Sequence, residues 1–152
     1  MATQYTAGIV QGQKWTAAIA NQIGAAWETW TPTVTQSAAV TVTNTASRYG
    51  RVQNLVYATT YLTVTGTGTA ANDVIASLPV TAQSGGNTMV GFGFFYDASA
   101  VTLYTCVATL ASSTTVRFYT SPNGTGGAWG SNPSVGLANS DQLRFTYIYE
   151  AA

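Results

Sequence analysis

The sequence predicts a mainly β domain, an antiparallel β-sandwich of jelly-roll type, preceded by an extended arm and one short helix. Threonine is the commonest residue and aromatic residues make up 12% of the 152 residues, a composition that favours strands. Turn residues separate segments of strand length near residues 38–44, 47–52, 54–65, 73–78, 88–96, 101–110, 114–120 and 141–150. Short strands at this spacing are typical of sandwiches and jelly rolls.

Residues 1–30 are expected to form an attachment and oligomerisation region, and residues 31–152 the sandwich domain. Residues 2–14 show no periodicity, which favours an arm. Thr16 can cap a helix, and apolar residues recur from there at helical steps until Trp30, although Gly24 can end the helix early. A helix this short must pack on its own sandwich or on copies of itself. The predicted attachment residues are Trp15, Ile19, Ile23, Trp27 and Trp30.

Two of the later strands differ in how their apolar residues are distributed. The C-terminal strand is apolar on one side only, which predicts a core face of Leu143, Phe145, Tyr147 and Tyr149. The segment 101–110 is apolar on both sides. One of its faces is therefore expected to line the core, and the other a subunit interface.

Charged residues are scarce in this chain. They make up 7% of the sequence, against about a quarter in ordinary soluble domains, and the net charge is zero. So few charges give little protection against self-contact, which favours a protein that works in an assembly. The five basic residues are scattered, so no nucleic-acid partner is expected. No apolar run reaches the roughly 18 residues of a membrane span, and no signal peptide is recognisable, so we expect synthesis in a cytoplasm and no membrane partner.

The residue types that most enzymes need are missing or isolated. Because the chain has no histidine, Ser-His-Asp and Cys-His catalysis and imidazole metal ligands are excluded. Asp73 and Asp97 lie in apparent turns, which explains them better than a glycosidase acid pair. Cys106 lies in an alternating strand and is expected to be a core residue. The sequence therefore predicts no enzyme, no cofactor and no metal.

One loop offers a candidate ligand contact. Residues 121–134 form a long, glycine-rich segment that contains Trp129 and follows Tyr119. Long loops are often functional, and exposed aromatic rings can stack on sugars, so this pair is a candidate glycan contact. The alternative interpretation is that Trp129 anchors the loop or fills a subunit seam.

A succession of segments resembles virion proteins of tailed phages, especially those that infect actinobacteria. The segments are T-A-G-I-V, W-T-A-A-I-A-N-Q, A-W-E-T-W-T-P-T-V, S-R-Y-G-R-V-Q-N-L-V-Y-A-T-T-Y-L-T-V-T-G-T-G, S-L-P-V-T-A and D-Q-L-R-F-T-Y-I-Y-E-A-A. The resemblance implies a homotrimeric β-sandwich on the virion surface, attached by its N-terminal region to the major capsid protein or another virion structural protein. No shaft is present, which favours a capsid decoration or head fibre protein. The alternative is a minor tail or tail-tip protein that recognises a host cell-surface glycan.

Overall fold

The computed structural model describes residues 26–84, 86, 88–120 and 127–152, and every regular element among them is a strand. The prediction of a mainly β, antiparallel chain is confirmed. The predicted arm and short helix lie outside the described residues, except for their C-terminal end. The described residues form twelve strands: β1 (Glu28–Thr29), β2 (Val34–Gln36), β3 (Ala38–Val40), β4 (Val42–Asn44), β5 (Arg48–Val52), β6 (Leu55–Val64), β7 (Ile75–Ser77), β8 (Met89–Asp97), β9 (Thr102–Leu110), β10 (Thr115–Thr120), β11 (Gly127–Ala128) and β12 (Gln142–Glu150).

All described strands belong to one curled sheet. The order is β1-β5-β6-β12-β8-β9-β10-β7-β2-β3, with β4 paired to β6 and β11 to β10. β3 pairs with β2 at one end of this order, whereas β4 pairs with β6 near the other end. Only Thr41 separates β3 from β4, so the sheet must curl back on itself into a half-barrel. The Thr41 carbonyl accepts hydrogen bonds from the backbone N–H groups of Thr65 and Gly66, at 2.9 and 3.1 Å.

The two-sheet sandwich is not confirmed. Two stacked sheets require a break in the hydrogen-bonded ladder, whereas the pairing here runs without a gap from β6 through β12, β8 and β9 to β10. The curl itself encloses the core. Each of the eight predicted strand segments overlaps at least one strand of the sheet, because a two-residue period is a local property that the sequence shows directly.

The core lies on the concave side of the sheet and is rich in aromatic rings. Leu143, Phe145, Tyr147 and Tyr149 are buried, as predicted from their alternation along β12. Phe145 packs against Phe95 and Phe118 at ring-centroid distances of 5.0 and 4.2 Å. The inner-face position on β8 beside Phe145 is Gly93. A Cβ atom at Gly93 would meet the Arg144 carbonyl oxygen and Phe145 Cα, so only glycine lets the two strands approach there.

A buried amide ties the loops to one end of the sheet. Gln36, the last residue of β2, is 1% exposed. Its Nε2 donates to the backbone carbonyls of Asn72 and Val135 at 3.1 and 2.7 Å, and its Oε1 accepts from the Leu137 N–H at 2.9 Å. One side chain therefore fixes both the loop before β7 and the loop before β12.

Candidate functional site

The convex side of the sheet carries a broad apolar surface. We call the outward-pointing side of β6, β12, β8 and β9 the outer face. Met89 and Phe92 of β8 are 71% and 69% exposed, although large apolar side chains are normally buried. The large apolar residues exposed on the outer face are Leu55, Tyr57, Tyr61, Met89, Phe92, Leu103, Val107 and Ile148.

Strand register makes these side chains neighbours. Phe92 lies directly between Thr146 of β12 and Val107 of β9. Ile148, two residues beyond Thr146, lies beside Tyr57 of β6. Directly opposed residues of paired strands have their Cβ atoms about 5 Å apart, so the exposed residues form one patch with threonines between them.

The outer face carries few charges, and one of them, Arg144, lies within it between Tyr61 of β6 and Phe94 of β8. Arg144 of β12 places its guanidinium 4.9 Å from the ring centroid of Tyr61 and donates two hydrogen bonds to Gln142 Oε1, at 3.1 and 2.8 Å. Glu150 lies on the same side of β12, six residues further along. The surface between these two opposite charges, around Thr146 and Ile148, is uncharged.

Trp27 extends the outer face, whereas Trp30 does not belong to it. The Trp27 ring is half exposed, meets the Tyr57 ring edge-on at 5.4 Å and has the Arg48 guanidinium 5.8 Å from its centroid. Trp30 packs against the core. The intervening Glu28–Thr29 is strand β1, paired with β5. A helical stripe that continues to Trp30 is therefore wrong, because in an extended segment residues three apart point to opposite sides. The other predicted attachment residues, Trp15, Ile19 and Ile23, lie outside the described residues.

Trp129 does not offer the exposed ring that the glycan hypothesis needs. It is 1% exposed and stacks face to face on Phe95 at 4.0 Å with an interplanar angle of 3°. The prediction that Trp129 is free to contact a sugar is therefore corrected: its ring is enclosed by the core. Tyr119, its predicted companion, is half-buried on β10 and lies apart from this stack, next to Val107 of β9.

Tyr119 belongs instead to a polar cluster around β10, between β9 and β7. The Arg117 Nη1 donates to the Tyr119 hydroxyl at 3.4 Å, and the Arg117 Nε lies 3.0 Å from Asp73 Oδ2. The Ser131 hydroxyl donates to the other oxygen of Asp73. The hydrogen bond to Tyr119, together with the nearby Asp73 carboxylate, raises the pKa of Arg117. The cluster joins β10 to the loop before β7, through Asp73, and to the loop after β11, through Ser131. Its side chains can also bind hydroxyl groups.

The two buried aspartates, Asp97 and Asp141, accept hydrogen bonds from nearby turns and loops. Asp97 accepts hydrogen bonds from the Ser99 hydroxyl and from the backbone N–H groups of Ser99 and Ala100, at 2.7 to 2.9 Å. The bond from the Ser99 hydroxyl is the largest cause that lowers the pKa of Asp97. The turn interpretation is thus confirmed for Asp97. Asp141 accepts from the N–H groups of Ala98 and Ala138, at 3.0 and 2.8 Å.

Cys106 lies in the core, as its position in an alternating strand predicts. It is buried on the inner face of β9, and burial raises the pKa of its thiol to about 12. Within residues 26–84, 86, 88–120 and 127–152, no group of three or more cysteine, aspartate or glutamate side chains is placed to hold a metal ion. The same part of the chain has no helix long and apolar enough to cross a membrane. Comparison with protein families, curated proteins and solved structures finds no match to this chain.

Proposed function

We propose that this protein is a non-enzymatic structural protein of a tailed-phage virion, a homotrimeric capsid decoration or head fibre protein on the particle surface. Residues 1–30, with the predicted arm and short helix, attach it to the major capsid protein or to another virion structural protein. The β-sandwich that the resemblance implies, and its jelly-roll type that the strand spacing predicts, belong to the same proposal, although the described strands form one curled sheet. The curled sheet is the body that projects from the particle.

One observation carries the proposal: the outer face. A side chain such as Phe92, with two-thirds of its surface in water, is costly in a protein that has only 7% charged residues to keep it soluble. Such a surface suits a chain that spends its time within an assembly. The resemblance of its segments to tailed-phage virion proteins is the reason for proposing a phage particle as that assembly.

Fractionation of particles tests the proposal. When phage lysates of cells that encode the chain are separated on density gradients, we expect the chain in the band of phage particles. Gold-labelled antibodies against the chain should bind to the heads of these particles. The attachment is apolar, so about 1 M salt should not release the chain, because screening weakens only charge pairs. Deletion of residues 2–14 should abolish occupancy. A chain that stays entirely in the soluble fraction would overturn the proposal.

A second function is favoured by the polar cluster of Asp73, Arg117 and Tyr119. A partly exposed carboxylate, guanidinium and phenol side by side suit the hydroxyls of a host cell-surface glycan, which a minor tail or tail-tip protein would recognise. In that case Tyr119→Ala should reduce adsorption to host cells at least about tenfold, the worth of one good hydrogen-bonded contact. Val101→Lys, in the turn between β8 and β9, is the control. Equal adsorption by both variants would rule out this function.

A further inference from the structure

We propose that a second copy of this chain packs against the outer face, so that the sheet itself, and not only residues 1–30, joins the subunits. The inference deepens the assembly proposed above and rests on it for the presence of several copies; because both subunits use the same face, the contact itself is two-fold. It begins from the two-sided pattern of β9. The inner side, with Cys106, Ala108 and Leu110, is buried in the core, while Leu103 and Val107 on the other side are exposed.

The area of the outer face is that of a subunit interface. Large side chains such as Phe92 and Tyr57 have about 150–250 Å² of surface each, so the exposed fractions across the outer face leave on the order of 700 Å² of apolar area. The largest apolar patch of an ordinary monomer is about 300–600 Å². A stable protein–protein interface buries about 800 Å² on each partner. The outer face is thus larger than a monomer needs and close to what one subunit contributes to a stable contact.

The composition of the outer face points to another copy as its occupant. Its centre, around Phe92, Thr146 and Ile148, is uncharged, so it offers nothing to a strongly charged partner. Interface cores are depleted of charged residues and enriched in aromatic residues and methionine, as this patch is. Every copy presents the same surface, and apolar patches of equal size can cover one another.

The two charges that β12 carries on the outer face are self-complementary. Arg144 and Glu150 point outward from the same strand and, at about 3.3 Å per residue, lie about 20 Å apart. A copy packed with its β12 in the opposite direction would bring Arg144 of one subunit towards Glu150 of the other. Ile148 of each subunit would then meet Thr146 of the other near the centre. Bringing these opposite charges together favours this orientation, whereas a parallel one would oppose like charges.

Light scattering on the full-length chain tests the inference. We expect the wild-type chain to be an oligomer at micromolar concentration. Phe92→Lys should weaken association by at least about 30-fold, as expected for a central aromatic side chain of an interface, and shift the chain to monomer. Ile148→Lys, from the neighbouring strand, should do the same. Both positions point into water in the isolated chain, so the unfolding midpoint of dilute protein should change little.

Val101→Lys is the matched control, because it places the same charge on an exposed apolar residue outside the outer face. Val101 has a φ of 51°, which is unfavourable for a β-branched residue, so lysine adds no strain. The control should stay oligomeric. A wild-type dimer would support the inference while overturning the trimer. An oligomer that survives both Phe92→Lys and Ile148→Lys would overturn the inference and leave the particle experiment unaffected. A wild-type monomer would overturn both the inference and the trimer.

Discussion

Replacing Gln36 with leucine should lower the free energy of unfolding by about 3 kcal/mol. Leucine has a similar volume, so the change removes hydrogen bonds without creating a large cavity. It leaves the buried Leu137 N–H without its acceptor and the carbonyls of Asn72 and Val135 without their donor. An orphaned buried group costs about 1–3 kcal/mol, and the two carbonyls, which are partly solvated, lie at the lower end of that range.

Urea denaturation and thermal unfolding measure the effect. For a domain of this size, about 3 kcal/mol corresponds to a fall of about 6–12 °C in Tm. Gln83→Leu is the control, because Gln83 is exposed, and it should change stability by less than about 0.5 kcal/mol. If Gln36→Leu is as stable as the control, the amide does not hold the loops, and our account of this end of the sheet is wrong.

Gln36→Glu separates hydrogen bonding from side-chain size. The carboxylate keeps the acceptor for the Leu137 N–H but faces two carbonyl oxygens, which favour the protonated form and raise its pKa in the folded chain. A group with a raised folded pKa contributes stability at low pH that is lost as the pH rises. The variant should therefore be less destabilised at acidic pH than at neutral pH. The destabilisation caused by Gln36→Leu should not change with pH in this way, because leucine does not ionise.

Three further predictions follow from the core and its turns. Trp129→Ala should cost about 3–5 kcal/mol, because it removes a buried ring stacked on Phe95; a loss below about 1 kcal/mol in urea denaturation would contradict this burial. The pKa of Asp97 is lowered in the folded chain. Its contribution to the free energy of unfolding is therefore present above the ordinary aspartate pKa of about 3.9 and is lost as the pH falls through the folded pKa. Asp97→Asn should flatten the acid limb of the stability curve, and an unchanged limb would refute this role. Cys106 should react with a thiol reagent at pH 8 only after unfolding, since burial raises its pKa to about 12; rapid labelling of the folded chain would show that the thiol is accessible.

Local patterns explain what the sequence predicted correctly. The period of two along β12 identified Leu143 and Phe145 as core residues, and the same reasoning found both apolar sides of β9. Side-chain alternation depends only on neighbouring backbone geometry, so a single chain reveals it. The subunit interface expected on the outward side of β9 stays a prediction, which the experiments on Phe92 and Ile148 address.

Long-range contacts explain what was missed. Trp129 follows a glycine-rich segment that suggests an exposed loop, but its place is set by Phe95, which lies 34 positions earlier in the chain. The hydrogen-bond partners of Gln36 lie 36, 99 and 101 positions away, and no local motif announces them. The one local signal was that Gln36, a polar residue, occupies a buried-side position at the end of the alternating strand β2. The single curled sheet was missed for the same reason, because strand order is a property of pairing and not of composition.

The continuous passage from β3 through Thr41 to β4 also bears on how this chain avoids aggregation. Open sheet edges expose unpaired N–H and C=O groups that recruit further strands and lead to fibrils. Here Thr41 joins β3, at one end of the strand order, to β4, which pairs with β6 near the other end. The terminal strands β1 and β3 have only two and three residues. The short edge strands leave few unpaired backbone groups with which a strand of another chain could pair. Edge-to-edge growth is thereby limited, and an apolar, charge-poor chain can associate through the face of its sheet without polymerising along it.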